Sequence, residues 1–197
     1  MTDNALFDAQ GRRLYLTREE REEFLKAAEK AKRETRTFCH VLAFTGCRIS
    51  EALALTPKRV DVSGRTLVFE TLKKRRSGVF RAVPVPPGLL DALDLVHGIR
   101  EIQDRQNSKE LNGLIWDMSR ATAWRMIKRM MDQAGIQDGP HKMPKGLRHA
   151  YGIHALSSGV PLNMLSKWMG HASMEVTAIY ANAIGEEQQA IAAKMWG

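Results

Sequence analysis

The sequence predicts an α+β fold that is mainly helical, with one small three-stranded antiparallel sheet. Three observations predict it. Apolar residues recur at helical spacing over most of the chain, as at Phe24, Leu25 and Ala28 or at Phe38, Val41 and Leu42. Only residues 60–85 turn to the shorter, alternating runs of strands, at 60–62, 65–72 and 79–85, with turn chemistry at Ser63-Gly64 and Ser77-Gly78. The 197 residues, 44% of them apolar, are enough for one domain with a sizeable core.

Taken in order, residues 1–16 have no clear period and read as a loose lead-in, so the folded domain is expected over 17–197. Thr17-Arg18-Glu19-Glu20 is a capping box and opens a helix to about Ala31. A second helix runs from about Thr35 to Phe44 and stops at Gly46, the glycine expected past a helix end. A third, 49–55, is halted by Pro57. After the sheet, Pro86-Pro87-Gly88 opens a helix ending near His97-Gly98. Residues 100–112 are polar and read as a surface connection, and Leu114, Ile115 and Trp116 as buried anchors. Ser119 caps a helix to about Gly135 on which Trp124, Ile127 and Met131 are expected to pack. The methionines, among them Met126, Met130, Met164 and Met169, read as core filling. A last amphipathic helix is expected over 183–196, covering Ile184, Ile191 and Met195 either on its own core or on a neighbouring subunit.

Charge narrows the partner. The chain carries a formal net charge of +8 with a pI near 9.7, and the charge is localised. Residues 1–34 are balanced, whereas 58–83 hold eight cations against Asp61 and Glu70, and 139–180 hold Glu175 as their sole acid. Clustered basic residues point to a polyanionic partner, as a DNA-facing side would require. Lys74, Arg75 and Arg76 on the hairpin, and Arg125, Lys128 and Arg129 on the helix after Ser119, are the candidate DNA contacts. Cys39 and Cys47 are too few for a disulfide framework, and no signal peptide or long apolar run appears, so a cytoplasmic location is expected. Cys47 reads as a packed residue. With no Cys/His cluster and no glycine-rich phosphate loop, neither a metal nor any other cofactor is expected.

The stretch 145–180 holds the chemistry. Lys145 and Arg148, spaced i, i+3, project from one helix face toward one small anion. His171 follows Gly170, and Ser173 is placed to cap a further short helix that carries Tyr180. A phenol with a pKa near 10 is ionised in only about one molecule in a thousand at pH 7, so activating it is worth roughly 4 kcal/mol. The neighbouring cations are placed to supply that activation.

Three boxes in this order, 45–53 (TGCRISEAL), 145–149 (KGLRH) and 169–171 (MGH) followed by Tyr180, with a basic hairpin between the first two, resemble the tyrosine recombinase (phage integrase) family. The resemblance covers nearly the whole chain from about Thr17. It implies an integrase-type catalytic domain in which Tyr180 is the nucleophile, Arg48, Arg148 and His171 hold the phosphate, Glu51 supports Arg48, and a hairpin lysine protonates the leaving oxygen. Strand alternation favours Lys73 for that lysine over Lys74. Lys145 stands where the family most often has His, a known variant.

The implied activity is site-specific recombination: cleavage and rejoining of DNA through a 3′-phosphotyrosyl intermediate, without metal or ATP. A tetramer on paired DNA sites, monomeric when free, and location on a bacterial nucleoid follow from the same resemblance. Only about sixteen residues precede the catalytic domain, where most members carry a DNA-clamping domain. A cut fragment and a short single-domain member without a core-binding domain, like the fimbrial phase-switch invertases, both fit, and the Met1 start and ordinary lead-in favour the second as the expectation. A type IB topoisomerase-like nicking-closing enzyme would share the chemistry without pairing two sites. A non-catalytic DNA-binding regulator would need the basic faces but not Tyr180.

Overall fold

The computed structural model describes residues 5–71, 78–105, 109–181, 193, 195 and 196. Nine α-helices are described: α1 (Arg18–Glu29), α2 (Arg33–Thr45), α3 (Ile49–Leu53), α4 (Pro87–His97), α5 (Ile99–Asp104), α6 (Arg120–Gln133), α7 (Pro144–Ser157), α8 (Leu162–Met169) and α9 (Glu175–Ala178). Between α3 and α4 lies an antiparallel sheet in the order β1 (Val60–Asp61), β2 (Thr66–Glu70), β3 (Phe80–Pro84). The expected fold class is therefore the observed one.

α2 is the central element. Thr37 to Ala43 are buried without interruption, as a helix covered on several sides must be. It packs against α1, α3, α4 and α7, and so joins the first box to the second. Phe24 and Ala28 of α1, Leu89, Leu90 and Leu93 of α4, and Ile127, Met130 and Met131 of α6 complete that core. The predicted caps hold. Thr17 and Glu20 form the capping box of α1, Gly46 ends α2 with φ +59°, and the Ser119 hydroxyl accepts from the Thr122 amide at 3.1 Å.

In the sheet, Leu67 pairs with Val83 and Phe69 with Arg81, and alternation buries Leu67 and Phe69 from β2 and Arg81 and Val83 from β3. A charged residue thus stands in the inward row. The strands are shorter than expected, and residues 72–77, which hold Lys73, Lys74, Arg75 and Arg76, lie outside the described residues.

Several expectations are corrected. The lead-in is not loose: Asp8 accepts from the amides of Gln10 and Arg12, both at 2.9 Å, and turns the chain so that Phe7 bridges Arg13. Leu6 is buried beside Tyr151 and Tyr180, and the Leu16 amide donates to Gly146 of α7 at 3.2 Å. The polar stretch 100–112 takes in most of α5, which begins at Ile99 and is set off from α4 by Gly98 at φ +63°; of its two apolar residues, Ile99 and Ile102, Ile99 alone is buried. Leu114, Trp124 and Met164 are exposed rather than packed. Of the final helix, Ile184 and Ile191 lie outside the described residues, and Met195 and Trp196 are exposed. Among the described residues no helix is long and apolar enough to cross a membrane.

Candidate active site

The site is built on α7. Pro144 starts this helix at the position where a missing N–H costs nothing. Lys145 and Arg148 then fall one turn apart on the same face, as their spacing predicted. Arg148 is buried, and its two terminal nitrogens donate to the carbonyls of Gly46 at 2.5 Å and Met169 at 2.8 Å. One guanidinium therefore ties the first box to the third. Burial, and then the charge of Arg48, pushes its pKa down to about 10, which still leaves it protonated at neutral pH. Gly46 has two reasons to be glycine: its left-handed φ, and the Tyr151 ring, whose nearest carbon would lie 2.3 Å from a Cβ.

Arg48 caps α3 with extended backbone, and its side chain is about one-third exposed. Glu51, one turn on and buried, accepts from the Arg48 amide at 2.8 Å and from Arg48 Nη1 at 3.1 Å. The same carboxylate accepts from Arg81 at 2.6 Å and 3.3 Å. Burial alone would raise the Glu51 pKa, but the charge and hydrogen bonds of Arg81 outweigh it and hold the carboxyl below its usual range. Arg81 also donates to the Trp168 carbonyl at 2.8 Å and to the Thr71 hydroxyl at 3.1 Å. Sequence reading counted Arg81 only as part of a basic segment. Its place in the inward row with Val83 was the available signal.

His171 follows Gly170, which ends α8 at φ +64°. Ser173 does not cap the next helix. α9 begins at Glu175, is four residues long and has no side-chain cap, because the chain bends through 172–174 first. His171 is held instead by Thr177, whose hydroxyl lies 2.7 Å from Nδ1. Tyr180 stands just past the end of α9 rather than on it. Its ring is stacked on His171 with centroids 6.1 Å apart, and its hydroxyl lies 3.0 Å from Nδ1 of the buried His149. Sequence reading placed His149 in the second box without giving it a role, and missed Thr177.

Arg48, Lys145, Arg148, His171 and Tyr180 line one pocket of about 350 Å³. Tyr180, 1% exposed, lies at its floor, while Arg120 and Trp124 of α6 form an open wall. Arg125 and Arg129 are exposed on the same helix. Lys128 is turned inward: its ammonium donates to the Lys142 carbonyl at 2.9 Å and lies 6.0 Å from the centre of the Trp124 ring. Cys47 is a packed residue, its thiol pushed up to about 12 by burial and then by Glu51. Among the described residues no three His, Cys, Asp or Glu side chains gather as metal ligands. Such a pocket sets cation-capable side chains around one buried phenol.

A sequence model of the phage integrase family matches residues 14–187. The chain belongs to the phage integrase family. The integrase-family match takes in every residue that lines the pocket and part of the lead-in. The chain is 28% identical over 178 residues to tyrosine recombinase XerA of Thermococcus onnurineus, covering 87% of this chain and 58% of that protein. It is 33% identical over 153 residues to tyrosine recombinase XerD of Mycobacterium leprae, covering 74% of this chain and 46% of that protein. The integrase-family chain thus spans about half the length of the curated relatives it matches. Its fold is similar to the crystal structure of XerH site-specific recombinase bound to difH substrate, with a TM-score of 0.71 at 20% identity over 97% of this chain and 60% of that one.

Proposed function

We propose that this chain is the catalytic part of a tyrosine-type site-specific recombinase that cleaves and rejoins double-stranded DNA. Tyr180 attacks a backbone phosphorus; the phosphorus–oxygen bond to the 5′ side breaks, giving a 3′-phosphotyrosyl link and a free 5′-hydroxyl, and the reverse step on a partner strand completes exchange. Arg48, Arg148 and His171 hold the non-bridging oxygens, and the hairpin lysine, Lys73 by alternation, protonates the leaving oxygen. The phenolic proton passes to a base at the pocket, where His149, at 3.0 Å, and Lys145 are the groups in place. One phosphodiester is exchanged for a bond of like energy, so the reaction needs neither ATP nor metal.

The observation that carries the reading is the convergence of five cation-capable side chains and one buried tyrosine on a single pocket, from three boxes far apart in sequence. A regulator that only binds DNA has no use for a phenol there. Family membership, and neighbours such as XerH bound to its DNA substrate, support DNA as the partner. We assign a working tetramer on paired sites, and Lys74, Arg75, Arg76, Arg125 and Arg129 as DNA contacts.

The test uses a nicked duplex that loses its 5′-hydroxyl fragment after cleavage, so that rejoining is blocked. The protein should appear as a covalent adduct on a denaturing gel, equally in excess chelator, and Tyr180→Phe should form none while still binding DNA. An adduct that persists in Tyr180→Phe, or cleavage that needs added magnesium, would refute the mechanism. Exchange between two sites, rather than relaxation of a supercoiled circle alone, separates recombination from a nicking-closing activity.

A further inference from the structure

Among the described cations in contact with the site residues Arg81 is the most enclosed, with only 4% of its side chain exposed, so it has little surface to offer DNA. Its planar guanidinium nevertheless meets acceptors from three separate segments: the Glu51 carboxylate on α3, the Thr71 hydroxyl after β2, and the Trp168 carbonyl on α8. A Cβ on Gly170 would come within 2.9 Å of its Cζ, so the guanidinium rests directly on the turn that delivers His171.

The decisive point is how Glu51 is shared. Its oxygens receive four donors, two from Arg81 and two from Arg48. The closest side-chain contact, 2.6 Å, belongs to Arg81, whereas the Arg48 guanidinium is held at 3.1 Å by one nitrogen. The buried carboxylate is therefore neutralised mainly by Arg81. Arg48 keeps its charge for the pocket, and Glu51 serves it as a tether rather than as a counter-ion. Without Arg81, an uncompensated buried carboxylate would draw the Arg48 guanidinium inward, away from any anion in the pocket.

We propose that Arg81 is a positioning residue for strand cleavage: by neutralising Glu51 it leaves the charge of Arg48 available to the scissile phosphate, and by gripping the Trp168 carbonyl it fixes the turn that carries His171. This rests on the strand-cleavage reading above. It predicts a loss that depends on the charge of the substrate. A scissile methylphosphonate, in which a methyl replaces one non-bridging oxygen, is neutral and needs less from Arg48 than an ordinary phosphodiester does.

Adduct formation is measured on both substrates for the wild-type protein, for Arg81→Met, and for the double variant Arg81→Met with Glu51→Gln. Arg81→Met should slow cleavage of the phosphodiester by about 100-fold, the size of losing one phosphate donor. On the methylphosphonate its deficit relative to wild type should shrink by at least about tenfold. The double variant carries no unpaired buried carboxylate, so it keeps its fold even where the single variant is destabilised, and on the phosphodiester it should recover about tenfold over the single variant. Equal deficits on the two substrates, or a double variant no faster than the single one, would overturn the role for Arg81. A wild-type protein that forms no adduct on either substrate overturns the strand-cleavage reading and this inference with it. A wild-type protein that forms one, matched on both substrates by Arg81→Met, overturns the inference alone.

Discussion

The floor of the pocket and the exposed face of α6, the helix that forms its open wall, carry the same kind of charge in opposite states. On the floor, Arg148 is buried, and each terminal nitrogen is committed to a backbone carbonyl. Beside the wall, Arg125 and Arg129 stand exposed on the same helix, α6, outside the pocket lining. A buried guanidinium is costly unless its donors are met, so the fold must hold it in one place. An exposed one keeps its rotamer freedom and acts through a screened field. The floor can therefore stabilise charge at a defined point, and the wall can only raise the local concentration of a polyanion. Preorganisation of that kind separates a group that changes a rate from one that changes an affinity.

The sharpest way to break this comparison is on the floor. Arg148→Lys keeps the charge but cannot serve the Gly46 and Met169 carbonyls together, so cleavage should fall by about 100- to 1000-fold with DNA binding little changed. Single-turnover adduct formation and a gel-shift titration measure the two. Parallel losses in both would show that the floor, like the wall, only binds.

Glu51→Gln should have a smaller effect on rate and a larger one on stability, about 3–5 kcal/mol, because it leaves Arg81 buried against a neutral partner. The pH dependence identifies the cause. The Glu51 carboxyl is held below its unfolded value of 4.5, so its stabilisation is present above about pH 4.5 and is lost as pH falls through the folded pKa. Denaturant unfolding of the wild type should weaken on acidification in that range, and Glu51→Gln should be flatter. Equal slopes would remove the carboxylate from the stability of the floor.

The wall should yield the smallest changes. Arg125→Gln with Arg129→Gln should alter stability by no more than about 0.5 kcal/mol. If each side chain meets one phosphate, the log–log salt slope of DNA binding should flatten by about 0.9 per residue. Arg12, paired with Asp8 on the lead-in hairpin, should leave the slope unchanged and serves as the control. A catalytic defect in the double α6 variant at saturating DNA would give the wall a place in the chemistry.

The same contrast explains what was legible in the sequence. Arg48, Lys145, Arg148, His171 and Tyr180 were found because their types and order match a known pattern, and the structure brings all five to one pocket. Of the groups that hold them, only Glu51 was found. His149 meets Tyr180 across 31 residues, and Arg81 meets Trp168 across 87; neither distance leaves a local signature. Periodicity gave the fold class, the caps of α1 and α6 and the glycine end of α2, because these depend on neighbours in sequence. It failed at Trp124, since period alone does not say that a helix face is a pocket wall, and at α5, where one buried isoleucine among polar residues is too weak a stripe.

The two carbonyls that receive Arg148 lie 102 residues before it and 21 after it. In folding terms the site closes two loops of very different size with one side chain, and the longer one spans the sheet and half the helices. Such contacts form late, because loop-closure entropy is lost before they return any stabilisation. A chain that has folded α7 and α8 but not yet docked α2 holds a cation with half its acceptors, and burying it is then unfavourable. Completion of the anion site and completion of the domain are thus one cooperative event. Partly folded chains can attract DNA through their exposed charge, but they lack the enclosed floor on which a broken strand would be made.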